Sequence, residues 1–391
     1  TERAGGRATS QGDSADSYRF LPNLRHDHRN VRKRGPMTAR ITKNRLRSPL
    51  LGGAPDPSLA AFHHRMPAYA PTLLFNAPTL AERLGLGRLV IKAETQRMGL
   101  PSFKILGASW ATYRALSEHL GSEPEPWHNI NELAANLAHL RPFDLAAATD
   151  GNHGRAVAFM ARLLGFGCHI FVPAGMVQSR IEAIRREGAS VTIVDGSYDD
   201  AVTQSAAMAS DRCLVVSDTS WEGYEDTPSR VIEGYGTIFR EIDDALDASG
   251  MERPDAAVLP MGVGAFMAAG VAHYRRDERN PLIVGVEPLD ANCIQVSAEA
   301  GDITAVPGPH KSIMVGLNCG TPSLIAWPLV SKGVDWFTAV DDEAARTAMR
   351  DLASIGIVAG ETGAASLAGL EALLASDEWS AEGRDLSAAT V

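Results

Sequence analysis

Cysteine is scarce in this chain of 391 residues, with Cys168, Cys213, Cys293 and Cys319 far apart and no CxxC pair. That excludes a disulfide framework and a zinc site of paired thiols, and it fits reduced thiols in the cytoplasm. A basic excess is also missing. The formal net charge is −10, which argues against nucleic acid or an anionic membrane surface as the main partner. No secretory signal is visible. The uncharged run Ala256–Ala272 contains Pro260 and three glycines, and it falls short of the ~20 apolar residues a membrane-spanning helix needs. HExxH, GxSxG and Walker A patterns do not occur. His63–His64 and the dispersed histidines read as surface or packing residues, so no metal is expected.

What is present is 45% hydrophobic, 21% charged and 6% aromatic, ordinary for a soluble enzyme of two domains. Residues 1–36, ending in "RNVRKRGP", have too little apolar content to order themselves and read as a leader or tag before Met37. From residue 70 onward, β-branched runs alternate with helical stretches. "RLVIKAE", "DLAAATD", "CHIFVPA", "SVTIVDG" and "PLIVGVEP" read as strands. "PSFKILGASWATYRALSEHL", "GRAVAFMARLLG" and "QSRIEAIRREG" read as helices, the last two closed by Gly165 and Gly188. Such alternation predicts βαβ crossovers and an α/β fold, with parallel-rich twisted sheets covered by helices on both faces. The stretch 120–140, with its prolines and acidic residues, reads as a surface insertion.

Three stretches carry chemistry. "PSFKILGASWA" places a single cation, Lys104, between Phe103 and Ile105. Such a lysine either snorkels its ammonium to water or, if desolvated, gives up its proton and forms a Schiff base with a carbonyl group. "ATDGNHGRAVA" ends a strand at Asp150 and turns through Gly151, Asn152, His153 and Gly154 into a helix. It is either a capped turn or an anion site built on free amides and the helix dipole. "LPMGVGAFMAAG" sets Gly262 and Gly264 between an apolar strand and a helix, a cradle for a phosphate. With Glu287 ending the next strand it also mimics a dinucleotide fingerprint, but Met267 stands where the third glycine belongs.

A reactive lysine, a Gly/Asn turn and a phosphate cradle share one explanation in pyridoxal 5'-phosphate. The chain resembles the fold type II (tryptophan synthase β-like) PLP-dependent enzymes, from about residue 65 to its end, and most of all their branch acting on diaminopropionate. The resemblance lies in "RMGLPSFKILGASWA", "ATDGNHGRAVA", "DTSWEGYEDTPSRVIEGYGTI", "GVEPLDANCI" and "IMVGLNCGTPS". Asp150, where relatives that dehydrate serine or threonine carry serine, points to that branch, as does the segment holding Asp218, Trp221 and Tyr224.

By that resemblance Lys104 forms the internal aldimine, Phe103 lies beside the cofactor, and Asn152 contacts the ring hydroxyl oxygen. The backbone of Gly262, Val263, Gly264 and Ala265 holds the phosphate. Asp218 binds the substrate ammonium, and Asp150 is a substrate contact and a second base opposite Lys104. "GETGAASLAG" matches a loop near the ring through Glu361 and Thr362, or is only a helix start capped by Thr362. The implied activity is elimination from D- and L-2,3-diaminopropionate to pyruvate and ammonia by a cytoplasmic homodimer. Its domains would be 37–106 with 224–391 (large, cofactor-binding) and 107–223 (small). The rivals are a serine, threonine or hydroxyaspartate dehydratase of the same fold and a NAD-dependent oxidoreductase. The closing "DLSAATV" reads as the start of a strand, and the residue facing the pyridine nitrogen is left unassigned.

Overall fold

The structure, a computed structural model, describes residues 38–49, 52–53, 56–149, 151–196, 198–276 and 278–391. The expected leader over 1–36 and the candidate Asp150 lie outside the described residues. Among those described, ten strands follow in order: β1 (Ala39–Lys43), β2 (Leu74–Asn76), β3 (Val90–Lys92), β4 (Asp144–Ala148), β5 (Gly167–Pro173), β6 (Ser190–Val194), β7 (Cys213–Val215), β8 (Ala256–Pro260), β9 (Leu282–Pro288) and β10 (Trp336–Val340). One sheet is ordered β6-β5-β4-β7 and is wholly parallel. A second is ordered β1-β10-β9-β8, parallel except for β1, which pairs antiparallel from Ala39↔Val340 to Lys43↔Trp336. β2 and β3 form a short antiparallel pair. Strands buried on both faces carry apolar residues throughout, as in β9, where every residue is buried. This is the α/β, parallel-rich architecture expected of the alternating pattern.

Two glycines set the central helix contact. The Lys104–Leu120 helix packs on the Asp226–Ala248 helix through Gly107 and Gly234. A Cβ on Gly107 would lie 2.5 Å from Tyr235 Cε1, and one on Gly234 would lie 2.5 Å from the Leu106 carbonyl oxygen. Only bare backbones fit at this distance. The contact seats the ring of Tyr235 beneath the start of the Lys104 helix, where Lys104 Nζ lies 5.6 Å from the ring centre.

The segment leading into Lys104 is held from behind by charge. Arg97 and Leu100 close a tight turn with N–H···O bonds of 2.7 and 2.9 Å. Its central residues, Met98 and Gly99, have φ of 51° and 79°, the left-handed pair of a type I′ turn. Arg97 is buried, and it donates to both oxygens of Glu241 (2.7 and 2.8 Å), to Glu94 and to the Ala70 carbonyl. Lys92 and Tyr69 also donate to Glu241, at 2.7 and 2.8 Å. Every charge in this buried cluster has a counter-charge, the condition under which such burial is tolerated.

Two sequence expectations need correction. The stretch 120–140 is no mere surface insertion: it holds a helix, Ile130–Asn136, whose cap Asn129 accepts from the amides of Asn131 and Glu132. Glu132 reaches back to the amide of His128, and Trp127, Leu133 and Leu137 join the core. Nor does "DLSAATV" begin as a strand. Asp385 accepts from Ser387 through both amide and hydroxyl, which makes a turn, and strand pairing starts only at Ala389: Arg88 and Val90 donate to the Ala389 and Val391 carbonyls at 2.9 and 2.8 Å, and Val391 donates to the Arg88 carbonyl at 3.0 Å.

Candidate active site

Lys104 opens its helix with no side-chain cap at Phe103, so the amine is presented at a helix start. Its Nζ donates to Asp218 Oδ2 at 2.7 Å, and the two side chains keep only 24% and 11% of their exposure. Burial alone would lower the lysine's proton affinity; the Asp218 carboxylate and the neighbouring Tyr235 together hold it above the ordinary lysine value. Of the two possibilities the sequence left open for this lysine, the amine is largely buried and does not snorkel to water, yet it keeps its proton. Its carboxylate partner outweighs the desolvation. Asp218, which burial would raise, is held down at about 2 by His153 when that ring is protonated, and by the Lys104 charge and the hydrogen bond from Lys104.

Behind Asp218 stands His153, in the first turn of the Asn152–Leu164 helix. Its Nε2 donates to the Val216 carbonyl at 2.7 Å, and its Nδ1 faces Asp218 Oδ2 at 3.8 Å. The turn before it is fixed by Thr149, whose hydroxyl accepts from the amides of Gly151 and Gly154, both at 2.9 Å. Gly151 has φ of 144°, outside what a residue with a Cβ readily adopts. Asn152, exposed on this turn, borders the same cavity as Lys104.

The glycine turn after β8 forms another wall. A Cβ on Gly262 would sit 3.1 Å from both Cys319 Sγ and the Gly316 carbonyl oxygen, so any side chain here would push its neighbours back by a few tenths of an ångström. Gly264, with φ of 98°, starts the Ala265–Tyr274 helix. A glycine-lined turn leading into a helix N-terminus offers amides and the positive end of the dipole to a phosphate. The residues present therefore fit a phosphate-bearing cofactor. The missing third glycine has a local substitute: Gly270, one turn on, is where this helix meets Leu259 of β8. Glu287 does not serve a dinucleotide, because it is fully buried and accepts from the amides of Ile294 and Gln295 at 2.8 and 2.9 Å. Burial pushes its carboxyl up to about 8, with those amides opposing.

Phe103, Lys104, Asn152 and Asp218 line one cavity of about 560 Å³. Gly262, Val263, Gly264 and Ala265 line it too, as do Glu361 and Thr362. Thr362 is not the helix cap: Gly360 holds that position, and the Thr362 hydroxyl accepts from the Gly316 amide at 3.3 Å. Sequence reasoning missed Thr149, Tyr235 and Cys319, which join the site through contacts far apart in the chain. Thr149, directly before Asp150, could have been suspected from its place at the strand end. Among the described residues, no cluster of His, Cys, Asp or Glu could hold a metal ion.

The chain is 36% identical over 330 residues to diaminopropionate ammonia-lyase of Salmonella typhimurium, with 81% of each chain covered. It is 35% identical over 338 residues to the enzyme of the same name from Escherichia coli, with 83% of each covered. The crystal structure of the Escherichia coli enzyme with an aminoacrylate–PLP azomethine reaction intermediate superposes with a TM-score of 0.79 at 30% identity, covering 90% of this chain and 91% of that one. The profile described as pyridoxal-phosphate dependent enzyme matches residues 65–386, and the chain belongs to that family.

Proposed function

We propose that this protein is a PLP-dependent carbon–nitrogen lyase that converts D- and L-2,3-diaminopropionate to pyruvate and two molecules of ammonia. The observation that carries this reading is the amine of Lys104, its Nζ held at 2.7 Å by Asp218 on the wall of a cavity that also contains the glycine turn. The names of the relatives at 35 and 36% identity support the choice of substrate.

Bound pyridoxal phosphate supplies an aldehyde for the amine and an electron sink for charge that develops at the substrate α-carbon. This chain's residues do the rest. Amides from Gly262 to Ala265 and the dipole of the following helix would hold the phosphate. Asn152 would bind the ring hydroxyl oxygen, and Phe103, Glu361 and Thr362, which line the same cavity, would contact the ring. Lys104 takes the α-proton at Nζ from one face. Asp150, outside the described residues, is assigned the proton of the other enantiomer, and its carboxylate favours a cationic leaving amine over a neutral hydroxyl. Asp218 receives the substrate ammonium.

Purified protein incubated with D- and L-diaminopropionate, serine and threonine should release ammonia and pyruvate fastest from the two diaminopropionates. Faster release from serine, or 2-oxobutyrate from threonine, would replace the proposal with a dehydratase. Asp150→Asn should slow the D isomer more than the L isomer; equal loss on both would remove the two-base assignment.

Included in the proposal is a cytoplasmic homodimer, supported by the resemblance and by four free cysteines. So is a division into 37–106 with 224–391 and 107–223, supported by β4 to β7 coming from the second range and the remaining strands from the first. Among the described residues no helix is long and apolar enough to cross a membrane.

A further inference from the structure

His153 Nδ1 is buried and has no hydrogen-bond partner among the described residues. Such an atom in a tightly built site calls for a physical reason. Nε2, at 2.7 Å from the Val216 carbonyl oxygen, must donate, which leaves the neutral ring with a lone pair on Nδ1. That lone pair faces Asp218 Oδ2 at 3.8 Å, so two acceptors confront each other across a closed gap. The same oxygen, Oδ2, accepts from Lys104 Nζ at 2.7 Å. One carboxylate oxygen therefore stands between two nitrogens, and of these two Lys104 brings it a proton and His153 does not.

We propose that His153 is a positioning residue that acts as a second proton holder: when the Lys104 ammonium leaves Asp218, His153 takes up a proton on Nδ1 and becomes the counter-ion of that carboxylate. The proton comes from solvent, one N–H bond forms on the ring, and Asp218 stays ionised. A buried carboxylate left without a cation is costly, and a buried acceptor without a donor adds to the cost. A single proton on Nδ1 removes both. While Lys104 is paired with Asp218, its charge performs the first task and repels a second cation. Burial, aided by that repulsion and opposed by Asp218, keeps the ring's proton affinity below that of an ordinary histidine.

The groups facing this pair from neighbouring elements are few. Tyr235 comes from the Asp226–Ala248 helix and Tyr224 from just ahead of it, its hydroxyl bound to the Val215 carbonyl and the Ser217 amide. Cys319 lies against the glycine turn. None of these supplies a cation to replace Lys104, and Asp150 lies outside the described residues. The inference rests on the proposed function in one respect: Lys104 must leave Asp218 during the reaction.

The test needs no cofactor. The His153 ring is titrated by NMR in the ligand-free full chain and in Lys104→Met, with His153→Gln to assign the signal. In Lys104→Met the ring should hold its proton about one pH unit higher, tenfold in affinity. Lys104→Met/Asp218→Asn should reverse this. An unchanged midpoint in Lys104→Met, or a rise that persists in the double variant, would overturn the inference. Calorimetry of pyridoxal phosphate added to wild-type apoprotein, in two buffers of different ionisation heat, gives a second reading. Capture with proton uptake that is lost in His153→Gln supports the inference; capture with identical proton balance in both proteins overturns it. Absorbance recorded in the same titration reports whether Lys104 captures the aldehyde at all, so failure of the cofactor assignment is seen separately, and the NMR comparison still decides on His153.

Discussion

Asp218→Asn keeps the shape of the side chain and removes its charge. The carboxyl is held at about 2 against an ordinary value of 3.8, by His153 and Lys104 acting against burial. The interval of nearly two pH units, at 1.36 kcal/mol per unit, amounts to about 2 kcal/mol of folding stability. The sign follows from the direction of the shift. A depressed carboxyl binds fewer protons folded than unfolded, so its contribution is complete above the unfolded value and disappears as pH falls through the folded one. Part of that figure needs a protonated His153, so urea unfolding of wild type and variant should differ by up to about 2 kcal/mol at pH 6, and the difference should shrink between about pH 4 and pH 2. Lys104 supplies a second readout. Without the carboxylate, burial prevails over the remaining interactions, and the amine should lose its proton at lower pH than in wild type. Aldehyde capture by the apoprotein, followed by absorbance, would then have its pH midpoint shifted down. A stability difference constant from pH 2 to pH 6, or an unshifted capture profile, would refute the assignment of charge to this pair.

Gly107→Ala should destabilise the protein. Its Cβ would sit 2.5 Å from Tyr235 and 2.8 Å from the Val231 carbonyl oxygen. Overpacking of this kind costs about 1–3 kcal/mol, against a gain of about 1 kcal/mol in helix propensity; a melting temperature equal to or above wild type would contradict the close-contact argument. Glu241→Ala leaves Arg97 and Lys92 buried without their shared carboxylate. Breaking a buried pair costs about 3–5 kcal/mol, and loosening the turn before Lys104 should also weaken cofactor binding. A loss below about 1 kcal/mol in urea unfolding would show the network to be dispensable.

Local patterns made much of the fold legible. Runs such as "PLIVGVEP" and "CHIFVPA" became β9 and β5 because strands of parallel sheets are apolar on both faces, a signal carried within a few residues. Gly165 and Gly188, with φ of 68° and 94°, ended helices because left-handed backbone favours glycine. The glycine turn before Ala265 was legible for the same reason. The capped helix at Ile130–Asn136 could have been read from Asn129 and Glu132, three residues apart, had the prolines before it not suggested a loop. Contacts between distant segments were beyond the pattern. Lys104 and Asp218 are separated by 114 residues, and Arg97 and Glu241 by 144. Nothing in either neighbourhood names its partner. The state of Lys104 stayed open in the sequence for that reason: its apolar neighbours are local, while the carboxylate that holds its proton follows β7.

The most direct measurement is borohydride reduction of the protein as purified with pyridoxal phosphate, followed by proteolysis and mass spectrometry. A phosphopyridoxyl group on the peptide containing Lys104, and its disappearance in Lys104→Ala, is the expected result. A label on another lysine, or none on a protein that still releases ammonia from diaminopropionate, would contradict the assignment on which the site rests.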